Sequence, residues 1–206
     1  TEDGKPMSME AMIDIIQKRW DKEGKGKLLY TANDYKNWKD RTGDDFSTKA
    51  PRPGWALVSK KLLPESTSKN YIEQTEVIIK ALRDGAFKDI EVPDEYEEAI
   101  REFEANKDRL TKLMSENWQE AAKQLSELKI TQLTRQSIQE TIYDLALYYD
   151  RNGKRLLPNV YTWSNTRATD GGLVGLGSFG SGGVRGGGWG PGGRLGGLGV
   201  SLSRRC

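Results

Sequence analysis

Residues 161–205 read YTWSNTRATDGGLVGLGSFGSGGVRGGGWGPGGRLGGLGVSLSRR, and this segment decides how the fold is interpreted. Of the 23 glycines in the chain, 16 lie after residue 162, so this end differs in kind from the rest. Glycine loses more backbone freedom on folding than any other residue, which makes so glycine-rich a segment costly to order. Composition alone is therefore typical of a flexible, low-complexity tail.

Apolar residues favour a folded end over a tail, because disordered segments are poor in aromatic and aliphatic residues. The apolar positions are Trp163, Leu173, Val174, Leu176, Phe179, Trp189, Leu198, Val200 and Leu202. The closing run LGVSLS alternates apolar with small or polar residues, which predicts one half-buried strand over 198–203. Leu173-Val174 predicts a second short strand. The glycines lie between these anchors, and we expect them to occupy loops.

The first three quarters of the chain read as helices with a few short strands, and we interpret each apolar stripe as core. The predicted helices are 8–21, a helix from a cap at Ser68 to Arg83, one from Pro93 to about Met114, one around Trp118–Leu128, and one that follows Thr134 and ends at Asn152-Gly153. Short strands are predicted at 27–31 and at Trp55–Val58, and a helical turn is predicted at Asp34–Lys39.

The residue types restrict the possible chemistry. The chain has no histidine and a single cysteine, Cys206, which excludes a thiolate/imidazole zinc site and an internal disulfide. Histidine is also the commonest general base, so we predict no enzyme, no metal site and no cofactor. No run approaches the roughly 18 apolar residues of a membrane helix, and no signal-peptide pattern is present.

The C-terminal segment contains an ordered set of residues that resembles a known family. The set is Tyr161-Thr162-Trp163-Ser164, Arg167, Leu173-Val174, Phe179, Gly182-Gly183, Trp189 and Leu198–Arg204. It is similar to the C-terminal end of the variable proteins of diversity-generating retroelements, most of all to archaeal, Nanoarchaeota-type variable proteins. In that family a reverse transcriptase copies a template with errors at adenines, and the altered copy replaces the C-terminal coding segment. Pro53-Gly54-Trp55 adds a weaker likeness.

The resemblance implies an α+β protein with a C-type lectin-like fold that forms a single domain over 1–206. It implies helix-rich N-terminal and middle parts (the helical part being 64–150), a small twisted antiparallel sheet and long irregular C-terminal loops. Residues 160–205 would be the variable region, which binds an unknown macromolecular ligand. A protein is the favoured class of ligand. Relatives display such domains on cell surfaces or virions. Trp163 and Trp189 would be core anchors.

The genetic code connects the glycines with this mechanism. An Asn codon, AAC or AAT, becomes a Gly codon when both mutable adenines change to guanine, and other changes give Ser, Asp, Arg, Val, Leu or Ala. We therefore predict a set of diversified, exposed ligand-binding positions. They are Gly172, Gly175, Gly177, Gly180, Arg185, Gly186, Gly187, Gly190, Gly193, Arg194, Leu195 and Gly196. Only Asp170 and Asn165 offer oxygen ligands nearby, so we predict neither a calcium site nor a sugar-specific site.

Charge supports an alternative function. Residues 151–206 contain 8 Lys/Arg and one Asp, a net charge of +7, whereas residues 1–150 contain 24 Lys/Arg and 29 Asp/Glu, a net charge of −5. A basic, glycine-rich, disordered tail with the triplet Arg185-Gly186-Gly187 would bind RNA or DNA with strong salt dependence. The aliphatic anchors are unlike those of such tails, so nucleic acid is not the favoured partner.

Overall fold

The computed structural model describes residues 7–30, 39–40, 42, 45–52 and 54–205. The chain is a mixed α+β protein, as predicted, and its larger sheet comes from the glycine-rich end. The helices are α1 Met9–Glu23, α2 Asp45–Thr48, α3 Tyr71–Ala81 with a π-helical turn over Leu82–Ala86, α4 Asp94–Glu116, α5 Trp118–Glu127, α6 Lys129–Thr134 and α7 Ile138–Asn152. The strands are β1 Ala56–Val58, β2 Tyr161–Arg167, β3 Leu173–Gly180, β4 Gly183–Trp189, β5 Leu198–Gly199 and β6 Ser203–Arg205.

Local hydrogen bonds set the helix ends. The Asn70 side chain accepts from the Glu73 N–H while the Glu73 carboxylate accepts from the Asn70 N–H, and Ser137 caps α7 in the same way. The predicted cap Ser68 is therefore wrong by two residues, because the capping box lies further along the chain, whereas α7 does follow Thr134 as predicted. The predicted end of α7 is confirmed, since Gly153 adopts the left-handed conformation after it.

The short elements near the N-terminus differ in part from the expectations. The predicted strand at Trp55–Val58 is confirmed as β1. The predicted strand at 27–31 is reduced to a single parallel bridge between Leu29 and Val184 within the described residues. Most of the turn predicted at Asp34–Lys39 lies outside the described residues. No helix in the described part of the chain combines the length and the apolar character that crossing a bilayer requires.

The described residues form two sheets. The larger has the strand order β4-β3-β2-β5, in which β2–β3 and β3–β4 are antiparallel and β5 is parallel to β2. The smaller pairs β1 with β6 antiparallel, so that Leu57 lies opposite Arg204. The smaller sheet therefore joins a strand from the first third of the chain to its last described residues.

The glycine-rich end forms strands where loops were predicted. Residues 173–189 contain the hairpin β3–β4, in which Gly175 lies opposite Gly187. Strands are possible here because the indole of Trp189 fills the space beside both glycines. The expectation of long irregular loops is wrong for this hairpin, whereas residues 190–197 do form an irregular loop.

The closing run LGVSLS is not one strand, contrary to the prediction. Leu198 and Gly199 form β5 beside β2, and Ser203 begins β6 beside β1. Val200 is fully buried between the two strands, and the next N–H, that of Ser201, donates to Thr162 Oγ1 at 2.8 Å. The chain thus leaves one sheet and joins the other, because each half of the run finds a different partner strand.

The larger sheet lies between two apolar clusters. On one face, Val174, Leu176 and Phe179 of β3 pack with buried residues of α1 and α7. On the other face, Leu173 of β3 and Trp163 of β2 pack with buried residues of α3 to α6. Because alternate residues of a strand point to opposite faces, one glycine-rich strand contributes to both clusters.

Asp144 on α7 gives a prediction for the pH dependence of stability. Burial raises its pKa above the ordinary value of 3.8, a hydrogen bond from Gln136 Nε2 (2.6 Å) opposes that rise, and Glu140 adds to it. A carboxyl whose folded pKa is raised stabilises the fold below its unfolded pKa and loses that contribution as the pH rises through the folded pKa. We therefore expect Asp144→Asn to raise the Tm at neutral pH, with the gain disappearing as the pH falls below 3.8. Thermal unfolding followed by circular dichroism across this range checks it, and a gain that grows on acidification would contradict it.

Candidate functional site

Several accessible residues of the glycine-rich end lie on the same side of the larger sheet or in the loop that follows it. We call this group of residues the Trp189 face and define it by Tyr161, Arg185, Gly187, Trp189 and the loop 190–197. Alternate residues of β4 share a face, which places the three β4 members on one side of the strand. Tyr161 of β2 joins them because it lies opposite the β3 residue that pairs with Arg185.

Trp189 covers the glycines of the hairpin. A Cβ atom on Gly175 would lie 2.7 Å from the Trp189 ring, and one on Gly187 would lie 2.9 Å from it. The indole also meets the rings of Tyr161 and Trp163 edge to face, at centroid distances of 5.7 and 5.9 Å. Trp189 is only partly buried. It therefore packs on the core, as expected of an anchor, while the residue as a whole stays partly accessible.

Three of the predicted variable positions are not on the surface. Gly172, Gly175 and Gly177 are buried within or next to β3, and the prediction of exposure is wrong for them. A Cβ on Gly172 would lie 3.0 Å from the Trp189 carbonyl oxygen, and one on Gly177 would collide with the Val160 carbonyl oxygen. These glycines are needed because backbone or indole approaches them closely.

Other predicted positions can carry side chains. The most open is Gly180, where a Cβ would meet no described atom within 4 Å. Arg185, Arg194, Leu195 and Gly196 are exposed. Each of these positions has free space on the solvent side of an ordered backbone. Substitutions there therefore do not disturb the core.

The remaining predicted positions are intermediate in exposure. A Cβ on Gly190 would contact the Trp118 ring at 3.5 Å, and one on Gly193 would lie 3.3 Å from the Gly190 carbonyl oxygen. The space beside Gly187 is filled by the Trp189 indole, as described above. Gly186 is partly buried opposite Leu176. Of these, the first two accept small side chains with slight adjustment.

Arg185 is held by an aromatic ring from the N-terminal part of the chain. Its guanidinium lies 3.6 Å from the centroid of the Tyr30 ring, and both side chains are exposed. Tyr30 is placed there by backbone pairing, because its N–H donates to the Val184 carbonyl (3.1 Å) and the Val184 N–H donates to the Leu28 carbonyl (2.7 Å). The pair gives the face a cationic, aromatic end.

The loop 190–197 is fixed by backbone hydrogen bonds despite its glycines. The Pro191 carbonyl accepts from the Tyr71 N–H at 2.9 Å, and the Leu195 carbonyl accepts from the Ser68 N–H at 3.0 Å. The Gly197 carbonyl accepts from the N–H of Tyr161 in β2 at 2.7 Å. Backbone bonds to the start of α3, to the residues just before it and to β2 therefore hold the loop in place.

Arg194 and Leu195 differ in what they offer to a partner. Arg194 Nη1 lies 2.7 Å from the Glu73 carboxylate, which is also engaged in capping α3. Leu195 is exposed and makes no polar contact with its side chain. The loop thus presents an apolar side chain next to a cation that is already neutralised.

A buried stack supports the Trp189 face from below. Trp163 lies edge to face on Tyr71 at 5.5 Å, and the guanidinium of Arg135 lies 3.7 Å from the Tyr71 ring centroid. Arg135 Nη2 donates to the Tyr71 carbonyl and to Thr75 Oγ1. Burial lowers the pKa of Arg135 and raises the pKa of Tyr71. All of these side chains are fully or almost fully buried, so the face rests on a well-packed support.

Sequence reasoning did not assign three aromatic residues to the binding site: Tyr161, which belongs to the face, and Tyr30 and Trp118, which border it. Trp118 is 40% exposed and lies against Gly190. The sequence gives only a weak indication that these residues lie at the surface, because an aromatic residue at the edge of an amphipathic pattern is normally assigned to the core. Their grouping depends on contacts between segments far apart in the chain.

The oxygen-bearing residues near the face are used internally. Asp170 Oδ1 accepts from the Gly172 N–H at 2.8 Å, and Asn165 Nδ2 donates to the Arg135 carbonyl at 3.0 Å. Among the described residues there is no group of three or more Asp, Glu, Cys or His side chains placed to hold a metal ion.

Comparison of the chain with family profiles, with characterised proteins and with solved structures finds no match.

Proposed function

We propose that this chain is a ligand-binding protein whose residues 160–205 are a variable region diversified by adenine-specific retroelement mutagenesis. Its scaffold is C-type lectin-like. Its ligand is a macromolecule, and a protein is the favoured class of ligand. The proposal rests on the residue pattern of the C-terminal segment and on the geometry of the Trp189 face.

The observation that carries the proposal is the separation of fixed and open positions. Gly175 and Gly177 have no room for a side chain, whereas Gly180, Arg185 and Leu195 face solvent from the same hairpin and the loop that follows it. A protein that changes its binding surface without refolding needs this arrangement, since substitutions at exposed positions affect stability little.

The smaller sheet supports the lectin-like scaffold. Pairing of β1 with β6 brings the two ends of the chain segment 56–205 together, and residues 200–202 connect this sheet to β5 of the larger one. Both ends of the variable region are then tied down, at β2 and at β6. Loops and strand faces between such ends keep their position when their side chains change.

The chemistry of the face suits a protein ligand. Tyr30, Trp118 and Trp189 supply aromatic surface, Arg185 supplies a cation and Leu195 an aliphatic contact. Aromatic residues and arginine dominate the binding energy of protein interfaces, because they bury large areas at low entropic cost.

The alternative, nucleic-acid binding by a basic tail, has weaker support. Several cations of the C-terminal segment are engaged within the molecule. Arg155 lies on the Tyr149 ring and donates to the Lys25 carbonyl, and Arg204 lies on the Phe87 ring. Together with the Arg194 ion pair, these contacts hold three of the eight cations of residues 151–206 against intramolecular partners, whereas a phosphate-binding tail would present its cations freely.

The proposal predicts a second copy of the coding segment for residues 160–205 close to the gene. We expect the two copies to differ only where the template copy has adenine, and we expect changed codons at Gly180, Arg185, Leu195 and Gly196. Sequencing of the locus from many isolates measures this. The codon for Gly177 is the internal control, because a side chain there is sterically excluded. Isolates with no second copy, or with differences spread over all four bases, would refute the proposal.

A further inference from the structure

Helices α1 and α7 run side by side in the same direction. Their C-terminal ends meet at Asp150, which accepts from Trp20 Nε1 at 2.7 Å and also pairs with Arg19. Their N-terminal ends both lie near residues 49–52, since the Met9 N–H donates to the Lys49 carbonyl and Arg52 pairs with a carboxylate in the first turn of α7. Between the two helices lies a groove of about 450 Å³.

The middle of this helix pair is apolar and exposed. Ile15 lies near the centre of α1 and is 52% exposed, and Tyr143 and Leu147, on either side of the centre of α7, are 41% and 42% exposed. All three line the groove. Two adjacent helices with apolar residues at matching positions form a contiguous patch of the kind found at protein interfaces.

Charge on α1 changes sign along its length. The exposed charged residues of the N-terminal half are Glu10 and Asp14, and those of the C-terminal half are Lys18, Arg19, Asp21, Lys22 and Glu23. Arg19, Asp21 and Glu23 are paired within the molecule, with Asp150, Lys27 and Lys25 respectively, which leaves Glu10, Asp14, Lys18 and Lys22. Within the part of the chain that the structure describes, none of these four side chains forms an ion pair. The charges of α1 that are not paired within the molecule are therefore acidic in its N-terminal half and basic in its C-terminal half, with the apolar patch between them.

We infer that a second copy of this chain docks on the surface formed by α1 and α7, with its helices antiparallel to those of the first. A two-fold axis through the helix centres then places apolar middle on apolar middle and the acidic half of α1 on the basic half of its mate. The interface is isologous, as in most homodimers. The helix dipoles are also opposed in this arrangement, which is favourable.

This dimer leaves the Trp189 face free. The helix pair packs on the sheet face that carries Val174, Leu176 and Phe179, whereas Trp189 and Arg185 belong to the opposite face. A dimer would therefore present two binding surfaces directed away from its own interface. Two linked sites bind a multivalent target more tightly than one site does.

The test measures the mass of the full chain in solution by light scattering and by sedimentation equilibrium over a wide range of concentration. We expect a species of twice 23.1 kDa that dissociates on dilution and at high salt. The double variant I15E/L147E is expected to be monomeric with an unchanged Tm, because both side chains are exposed in one copy. I90E is the matched control: Ile90 is 63% exposed outside both helices, and its variant is expected to remain dimeric.

Charge reversal tests the antiparallel arrangement. E10K/D14K leaves only positive charge at these four positions of α1, and K18E/K22E leaves only negative charge. We expect each variant alone to self-associate about tenfold or more weakly than wild type, since like charges then face each other, and an equimolar mixture to form a heterodimer. Circular dichroism checks that both variants are folded. A wild type that is monomeric at every concentration, a dimer that survives I15E/L147E, or a mixture no more associated than its components would overturn the inference.

Discussion

Gly177→Ala is expected to destabilise the fold by about 3 kcal/mol or more, because the alanine would have both an unfavourable backbone φ and a steric clash at its Cβ. The residue has a φ of +154°, which L side chains rarely adopt. Its Cβ would collide with the Val160 carbonyl oxygen and lie 2.9 Å from the Tyr161 Cα. Both neighbours are backbone of the segment that enters β2, and they cannot move without breaking the pairing of β2 with β3.

Urea unfolding followed by tryptophan fluorescence measures this effect as a change in the free energy of unfolding. Gly180→Ala is the matched control. It lies three residues along the same strand, its φ is not in the left-handed range, and no described atom lies within 4 Å of the new Cβ. We expect a change within about 0.5 kcal/mol for this control. Equal effects of the two substitutions would show that β3 and β2 do not meet as described.

Trp163→Ala is expected to lower the free energy of unfolding by about 3–5 kcal/mol, the range for removal of a large buried aromatic side chain. Trp163 is 1% exposed and touches Tyr71 on one side and Trp189 on the other. Its loss leaves a cavity between the helical cluster and the Trp189 face. Trp189 would then lose one of the rings that hold its indole over the glycines.

Trp118→Ala is the control for this second variant, because Trp118 is 40% exposed and lies at the rim of the same face. We expect it to cost less than about 1 kcal/mol. Guanidinium chloride unfolding of both variants gives the comparison. A Trp163→Ala protein as stable as the Trp118→Ala protein would contradict the assignment of Trp163 to the core.

Helices were predictable because their signals are local. The stripe Met9, Ile13, Ile16 and Trp20 is buried in α1 as expected, and Gly153 ends α7 as expected. The caps were missed although the signature was present, since Asn70 and Ser137 are each followed by a glutamate three residues later.

The strands of the glycine-rich end were not predictable in detail. A strand is recognised by alternating side chains, and Gly175 and Gly187 have none. What makes them strand residues is the indole of Trp189, which lies over both. The division of LGVSLS likewise depends on two partners, β2 and β1, that lie far apart in sequence.

Exposure was predicted correctly at the candidate positions that carry a large side chain. Arg185, Arg194 and Leu195 are exposed, as the pattern indicated. For glycines the sequence contains no sign of exposure, because a glycine that admits a close contact and a glycine that replaces a surface side chain look the same. Only the neighbouring atoms distinguish Gly177 from Gly180.

The origin of the larger sheet has a consequence for synthesis. All of its strands come from residues after 160, and it separates the two apolar clusters. Because the ribosome synthesises these strands after α1 to α7, the helices emerge before the sheet on which both clusters pack has formed. The nascent chain therefore carries two unfinished apolar surfaces, a state prone to aggregation. We expect native packing to be reached only after the strands of the larger sheet have emerged from the ribosome.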